Sequence, residues 1–189
     1  MRATRPAMTS LALLRRRRFA VLFTARTVSV LGNALAPIAL AFGILDQPGA
    51  DARLLAAVLA AQAVPQLALF LVGGVIADRF PRDRVLVVSE TTAGLAYGGL
   101  AWALLSGNAV PAVLLGCAVL AGVASAMMFP ALAGVVPDVV ESDDLQSANA
   151  LLALVSNGSR VAGILVAGAL VALVGPGAAL AIDAGTYLV

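Results

Sequence analysis

Lysine and histidine are absent from this 189-residue chain, and cysteine occurs only once. Without histidine the chain cannot form a Ser-His-Asp triad or the histidine-based zinc motifs, and without lysine it cannot form a phosphate-binding P-loop. The single cysteine, Cys117, excludes an internal disulfide and a cysteine metal cluster. We therefore expect a protein that is not an enzyme and has no cofactor and no metal site.

Charged residues are also scarce, at 12% of the chain, whereas 61% of the residues are hydrophobic. A soluble domain has about 25% charged residues, which cover its water-facing surface. The mean hydropathy of +1.01 agrees with this imbalance. The composition predicts an all-α membrane protein whose main solvent is lipid.

Long apolar segments divide the chain into membrane-crossing helices, here called spans. A span needs about 20 apolar residues to cross a hydrocarbon core of about 30 Å. Five segments meet this requirement, at about 19–45, 54–77, 85–106, 110–136 and 147–174. A sixth segment, 178–189, is too short, since about 12 residues rise only about 18 Å. We expect an incomplete sixth span, in either a truncated sequence or a natural half-length protein.

The positions of the arginines predict the orientation in the membrane. Nine of the twelve basic residues precede the first span or lie between the second and third: Arg2, Arg5, Arg15, Arg16, Arg17, Arg18, Arg79, Arg82 and Arg84. The loops on the opposite face carry only Arg53. By the positive-inside rule, we expect the basic segment 1–18 to be cytoplasmic. We expect the bundle 19–189 to cross a plasma (inner) membrane. The clustered arginines favour lipid headgroups as partners rather than nucleic acid.

Proline and glycine are spread through the spans. Pro37, Pro65 and Pro130 lie inside them and predict kinks. Glycines let helices approach closely in lipid, and seven are expected to do so: Gly73, Gly74, Gly94, Gly98, Gly99, Gly116 and Gly122. Such helices suit a bundle that rocks between two shapes.

The segment GGVIADRFPRDRVL, at 73–86, carries a recognisable charge pattern. It resembles the signature loop between the second and third spans of the major facilitator superfamily. Four residues match that pattern: Gly74, Asp78, Arg79 and Arg82. Pro81 and Asp83 depart from it. The resemblance implies the N-terminal six-helix bundle of a twelve-helix fold, in which a gating pair forms between Arg82 and Asp138 and the two halves open a central site alternately.

Two further segments carry a narrower resemblance. ARTVSVLGNALAPIALAF and FPALAGVVPDVVESDDLQSANALL are similar to the drug and siderophore exporter branch, which is enterobactin-exporter-like. The antiporter motif of the fifth span is only partly present, since Gly163 and Gly168 remain and its proline is replaced by Ile164. The resemblance implies efflux of a small-molecule substrate, with a missing C-terminal half as partner.

Seven polar or charged residues inside the spans stand out, because a charge there costs about 2.5–3.5 kcal/mol unless it has a partner, water or a function. They are Arg26, Asn33, Gln62, Gln66, Asn157, Arg160 and Asp183. We expect them to contact a substrate or to couple transport to an ion. Snorkelling is the alternative for Arg26, and hydrogen bonding between helices is the alternative for Asn33. Asp183, and less so Glu90, is a candidate proton carrier.

Two function classes remain open. The first is a secondary active transporter, driven by an ion gradient because the chain has no nucleotide site. The alternative is a non-transporting membrane helix bundle that acts as a structural or assembly partner. An intramembrane enzyme is disfavoured, because the spans lack catalytic carboxylate clusters and metal ligands. Substrate, direction, coupling ion and oligomeric state do not follow from the sequence.

Overall fold

The computed structural model describes residues 10–49, 51–107 and 109–187, and the described residues contain helices and no strand. The helices are α1 (Arg17–Asn33), α2 (Leu35–Leu45), α3 (Ala52–Arg79), α4 (Arg82–Leu105), α5 (Pro111–Val139), α6 (Leu145–Val174) and α7 (Pro176–Thr186). Two short 3-10 helices, Ser10–Arg15 and Ser142–Asp144, precede α1 and α6. The predicted all-α fold is confirmed.

The first span is interrupted at Ala34, which separates α1 from α2. Pro37 explains the break, because it has no N–H for the carbonyl of Asn33 and its ring crowds that carbonyl. The disturbance expected from Pro37 is thus observed. By contrast, α3 continues through Pro65 and α5 continues through Pro130 without interruption.

Four stretches of the described chain are long and apolar enough to cross a membrane: Arg17–Leu45, Ala52–Ile76, Pro111–Pro137 and Ser142–Val174. The helix predicted at 85–106 is present as α4 but is not among these four. Its first half contains charged and hydroxyl residues, from Arg82 to Thr92, which lower its hydropathy. That α4 crosses the bilayer remains a prediction.

The two charged segments between predicted spans, 78–84 and 137–146, are mostly helical. α3 continues to Arg79 and α4 begins at Arg82, so only Phe80 and Pro81 lie between them. Because a residue before proline is disfavoured in the helical region, Phe80 is extended, at φ −112° and ψ 154°, and α3 ends. Likewise α5 continues to Val139, and the connection to α6 is short.

The helices pack in pairs that set the shape of the bundle. α1 packs against α6, α2 against α6 and α7, α3 against α5, and α4 against α5 and α7. Glycine allows the closest of these approaches. A Cβ atom at Gly122 would collide with the carbonyl oxygen of Gln62, and one at Gly73 with that of Ala126. The backbones of α3 and α5 therefore touch directly, at the level of Gln62.

The segment before the first span also packs onto the bundle. Leu13 is fully buried in an apolar cluster with Phe19, Val140 and Ala148. Close by, Arg16 Nη2 lies 3.4 Å from Glu141 Oε1 and 3.5 Å from Asp144 Oδ2. These contacts hold the N-terminal ends of α1 and α6 together.

Candidate functional site

A cavity of about 550 Å³ lies between the helices and is lined from α1, α2, α3, α4, α5 and α6. Five of the seven polar residues that the sequence singled out line it: Arg26, Asn33, Gln62, Gln66 and Arg160. Ser29, Ser125 and Ser156 add hydroxyl groups, and Phe129 adds an aromatic ring. Packing of the helices thus brings together residues that are far apart in the sequence.

Several of the cavity residues lie near the middle of their helices. Arg160 is about 22 Å along α6 from Leu145, and Asn33 is about 24 Å along the first span from Arg17, at 1.5 Å per residue. On α3, Gln62 is about 25 Å from the end at Arg79. These positions are near the middle of helices of about 30 residues, where transporters bind their substrates.

A chain of side-chain contacts crosses one wall of the cavity. Gln62 Nε2 donates a hydrogen bond of 2.9 Å to Tyr97 Oη. The ring of Tyr97 stacks on that of Tyr187, with centroids 5.4 Å apart. Tyr187 Oη donates a hydrogen bond of 2.7 Å to Asn33 Oδ1. This network connects α3, α4, the end of α7 and α1.

Asp183 does not line the cavity, although we expected it to contact a substrate or a coupling ion together with the residues that do. It is completely buried on α7, and neither carboxylate oxygen has a hydrogen-bond partner among the described residues. Gly32 provides the space it needs, since a Cβ there would be 3.0 Å from Asp183 Oδ1. Glu90, on α4, lines a smaller cavity of about 300 Å³ beside Tyr187, and Ser29 lines both this cavity and the central one.

Asn157 lines an adjoining cavity of about 520 Å³, together with Asn149 and Leu22. Arg26, Ser156 and Phe129 line both cavities. The two spaces therefore meet at Arg26. Asn157 and Arg160 lie three residues apart on α6, but Asn157 lines the adjoining cavity and Arg160 lines the central one.

The signature segment lies away from both cavities. Arg79 is the last residue of α3, Arg82 is the first residue of α4, and there is open space around Gly74. The side chains of Asp78 and Asp138 fall outside what the structure describes. The pairing of Arg82 with Asp138 therefore stays a prediction.

Comparison with known proteins settles the family. A family model described as a transmembrane secretion effector matches residues 8–189, which is nearly the whole chain. The chain belongs to this family. The match supports a transporter of the major facilitator type and a multi-pass membrane protein. No curated protein matches the chain.

Sequence reasoning missed Tyr97 and Tyr187 in this secretion-effector chain. They are its only two tyrosines, and both belong to the network beside the cavity. The available signal was their rarity, together with the preference of a buried phenol hydroxyl for a hydrogen-bond partner. Their partners could not be predicted, because the contact between α4 and the end of α7 joins residues 90 positions apart in the sequence.

Proposed function

We propose that this chain is the N-terminal half of a secondary active transporter that exports a small molecule by alternating access, driven by an ion gradient. We place it in the plasma membrane of a bacterium with its N-terminus in the cytoplasm, because most arginines lie on that side. The cavity lined by Asn33, Gln62, Gln66 and both membrane arginines carries the proposal. The family is generally non-enzymatic, and we propose no enzyme activity for this member.

The distribution of polarity supports a route for a solute. The outer faces of the helices expose large apolar side chains such as Leu71 and Leu173, which are 81% and 83% exposed. Lipid, or another apolar protein surface, is the suitable neighbour for them. Polar side chains converge instead on the central cavity, where they can replace the water molecules around a substrate.

The signature segment would control which side of the membrane the cavity faces. We propose that Asp78, Arg79 and Arg82 form charged contacts with Asp138 and with the second half of the transporter, and that these contacts hold one state closed. Asp78→Asn would then change the rate of transport and the balance between the two states. If transport kinetics and the populations of the two states are unchanged, the signature segment has no role in the mechanism.

Asp183 is our candidate for coupling transport to a proton gradient. An ionised carboxylate without a hydrogen-bond partner is costly to bury, so acids inside membranes commonly bind and release protons. Asp183 is fully buried and close to Gly32 and Thr186, next to the tyrosine network of the cavity wall. A change in this network would link proton binding to the shape of the cavity.

The transport proposal is tested by dye efflux from cells that express the intact protein. Cells loaded with a panel of fluorescent dyes should release at least one of them faster than cells without the protein, and a protonophore should abolish the difference. Gln62→Ala with Gln66→Ala should slow this release about tenfold or more. Gln47→Ala is the matched control, since Gln47 lies in the turn after α2 and away from the cavity.

The second candidate function is a helix bundle that assembles with a partner and transports nothing. The large apolar surface of α3 and α6 is the observation that favours it. If no dye, antibiotic or siderophore moves faster with the protein than without it, and the glutamine variants change nothing, this alternative replaces the transporter.

A further inference from the structure

We propose that the central cavity binds an organic anion, a small molecule with a carboxylate, sulfonate or phosphate group on an apolar body, through Arg26 and Arg160. The inference rests on the proposed function only in assuming that the cavity is the substrate site. It adds the charge and the chemical class of the substrate.

The two arginines bring unbalanced positive charge into one cavity. Arg26 comes from α1 and Arg160 from α6, two helices that pack together. Neither side chain forms an ion pair or a hydrogen bond with any described residue. An arginine at this depth is costly in the membrane unless water or an opposite charge compensates it. An anionic ligand supplies that charge, and guanidinium binds carboxylate, sulfonate and phosphate groups through two parallel hydrogen bonds.

No acidic side chain among the described residues faces this cavity or the adjoining one. The two described acids inside the spans are directed elsewhere. Asp183 is buried against Gly32, and Glu90 lines a third cavity beside Tyr187, which has Ser29 in common with the central cavity. Among the described side chains, a cationic substrate would therefore meet two arginines and no carboxylate in these two cavities. The charge of the cavity favours anions by repelling cations as well as by attracting anions.

Hydrogen-bond donors and apolar surface complete the site. Asn33 uses its side-chain oxygen to accept from Tyr187, so its amide nitrogen has no acceptor among the described residues and remains available as a donor. Phe129, Met128 and Ile164 line the same cavity and offer an apolar wall. A volume of about 550 Å³ accommodates a molecule of drug size. These features fit an amphipathic organic anion better than an inorganic ion.

Two fluorescent probes with the same aromatic body test the proposal. Anilinonaphthalene sulfonate carries a sulfonate, and phenylnaphthylamine lacks it. The intact protein in lipid nanodiscs should bind the sulfonate probe above the background of empty nanodiscs. Arg160→Gln and Arg26→Gln should each weaken binding of the sulfonate about tenfold, whereas binding of the neutral probe should change less than about twofold. Arg160→Lys should retain part of the affinity, because the charge remains.

Arg53→Gln serves as the matched control, since Arg53 is exposed at the start of α3 and lines neither cavity. The proposal is overturned if the arginine variants weaken both probes equally, or if they leave the sulfonate affinity unchanged. It is also overturned if a cation, tetraphenylphosphonium, binds more tightly to the wild type than to Arg160→Gln. Failure of the proposed function would give a different result. The sulfonate probe would still bind in a way that depends on the arginines, but no solute would cross a proteoliposome membrane. That result would support the anion site and contradict the transport function.

Discussion

The hydroxyl of Tyr187 donates a hydrogen bond of 2.7 Å to Asn33 Oδ1 and so connects the end of α7 to the last turn of α1. The two residues are 154 positions apart in the sequence. Asn33 also lies directly before the break at Ala34. The contact therefore fixes the cavity wall at the point where the first span is interrupted.

Tyr187→Phe should lower the free energy of unfolding by about 1–2 kcal/mol, because it deletes one hydrogen bond and leaves the Asn33 oxygen without a donor. Thermal unfolding in detergent micelles, followed by circular dichroism, measures the change. Thr91→Val is the matched control, since it also deletes a hydroxyl hydrogen bond, but an exposed one within α4. Equal losses in both variants would show that the contact with Asn33 has no special role.

Gly122→Ala should destabilise the bundle by about 1–3 kcal/mol, because its Cβ would collide with the carbonyl oxygen of Gln62 and push α3 away from α5. Gly116→Ala provides the control on the same helix, since there is open space around Gly116. The fraction of monodisperse protein after mild heating reports both changes. Equal stability of the two variants would contradict the direct backbone contact between α3 and α5.

The ion pairs of Arg16 predict that its two partners, Glu141 and Asp144, contribute differently to the stability of the fold. Asp144 has a side chain that is 6% exposed, whereas that of Glu141 is 63% exposed. An exposed ion pair contributes about 0–1 kcal/mol, and a buried charged contact contributes more when one partner is removed. Asp144→Asn should therefore lower the melting temperature more than Glu141→Gln does. The reverse order would contradict the burial of Asp144.

Asp183→Asn should abolish uphill, gradient-driven transport and leave downhill exchange of substrate intact. Asparagine keeps the shape of the side chain but cannot bind or release a proton at this position. Proteoliposomes with and without an imposed proton gradient separate the two activities. Glu90→Gln is the control acid, and we expect it to retain uphill transport. Uphill transport by the Asp183→Asn variant would exclude a coupling role for this residue.

Much of the fold could be predicted from the sequence, because hydrophobic length decides where helices form in lipid. The break in the first span also follows from one residue, Pro37. The lengths of the connections after the second and fourth spans could not be predicted, because the helical backbone continues into the charged segments. Thus α3 continues to Arg79 and α5 to Val139.

The cavity was only partly predictable. Polar residues inside spans are rare and costly, so Arg26, Asn33 and Arg160 stood out from the sequence. Which cavity each residue faces depends on how the helices pack, and sequence spacing does not determine this. For that reason Asn157 and Asp183 were grouped with residues whose cavity they do not line. The partners of Tyr97 and Tyr187 depend on the same packing.

Alternating access to the cavity is the central claim, and cysteine labelling tests it most directly. Gln66→Cys, in a background in which Cys117 and any cysteine of the second half are replaced by alanine, places one thiol in the cavity. In oriented membrane vesicles that contain the intact protein, a membrane-impermeant maleimide should modify this thiol when it is added from either face. Modification from one face only, or from neither, would contradict the account.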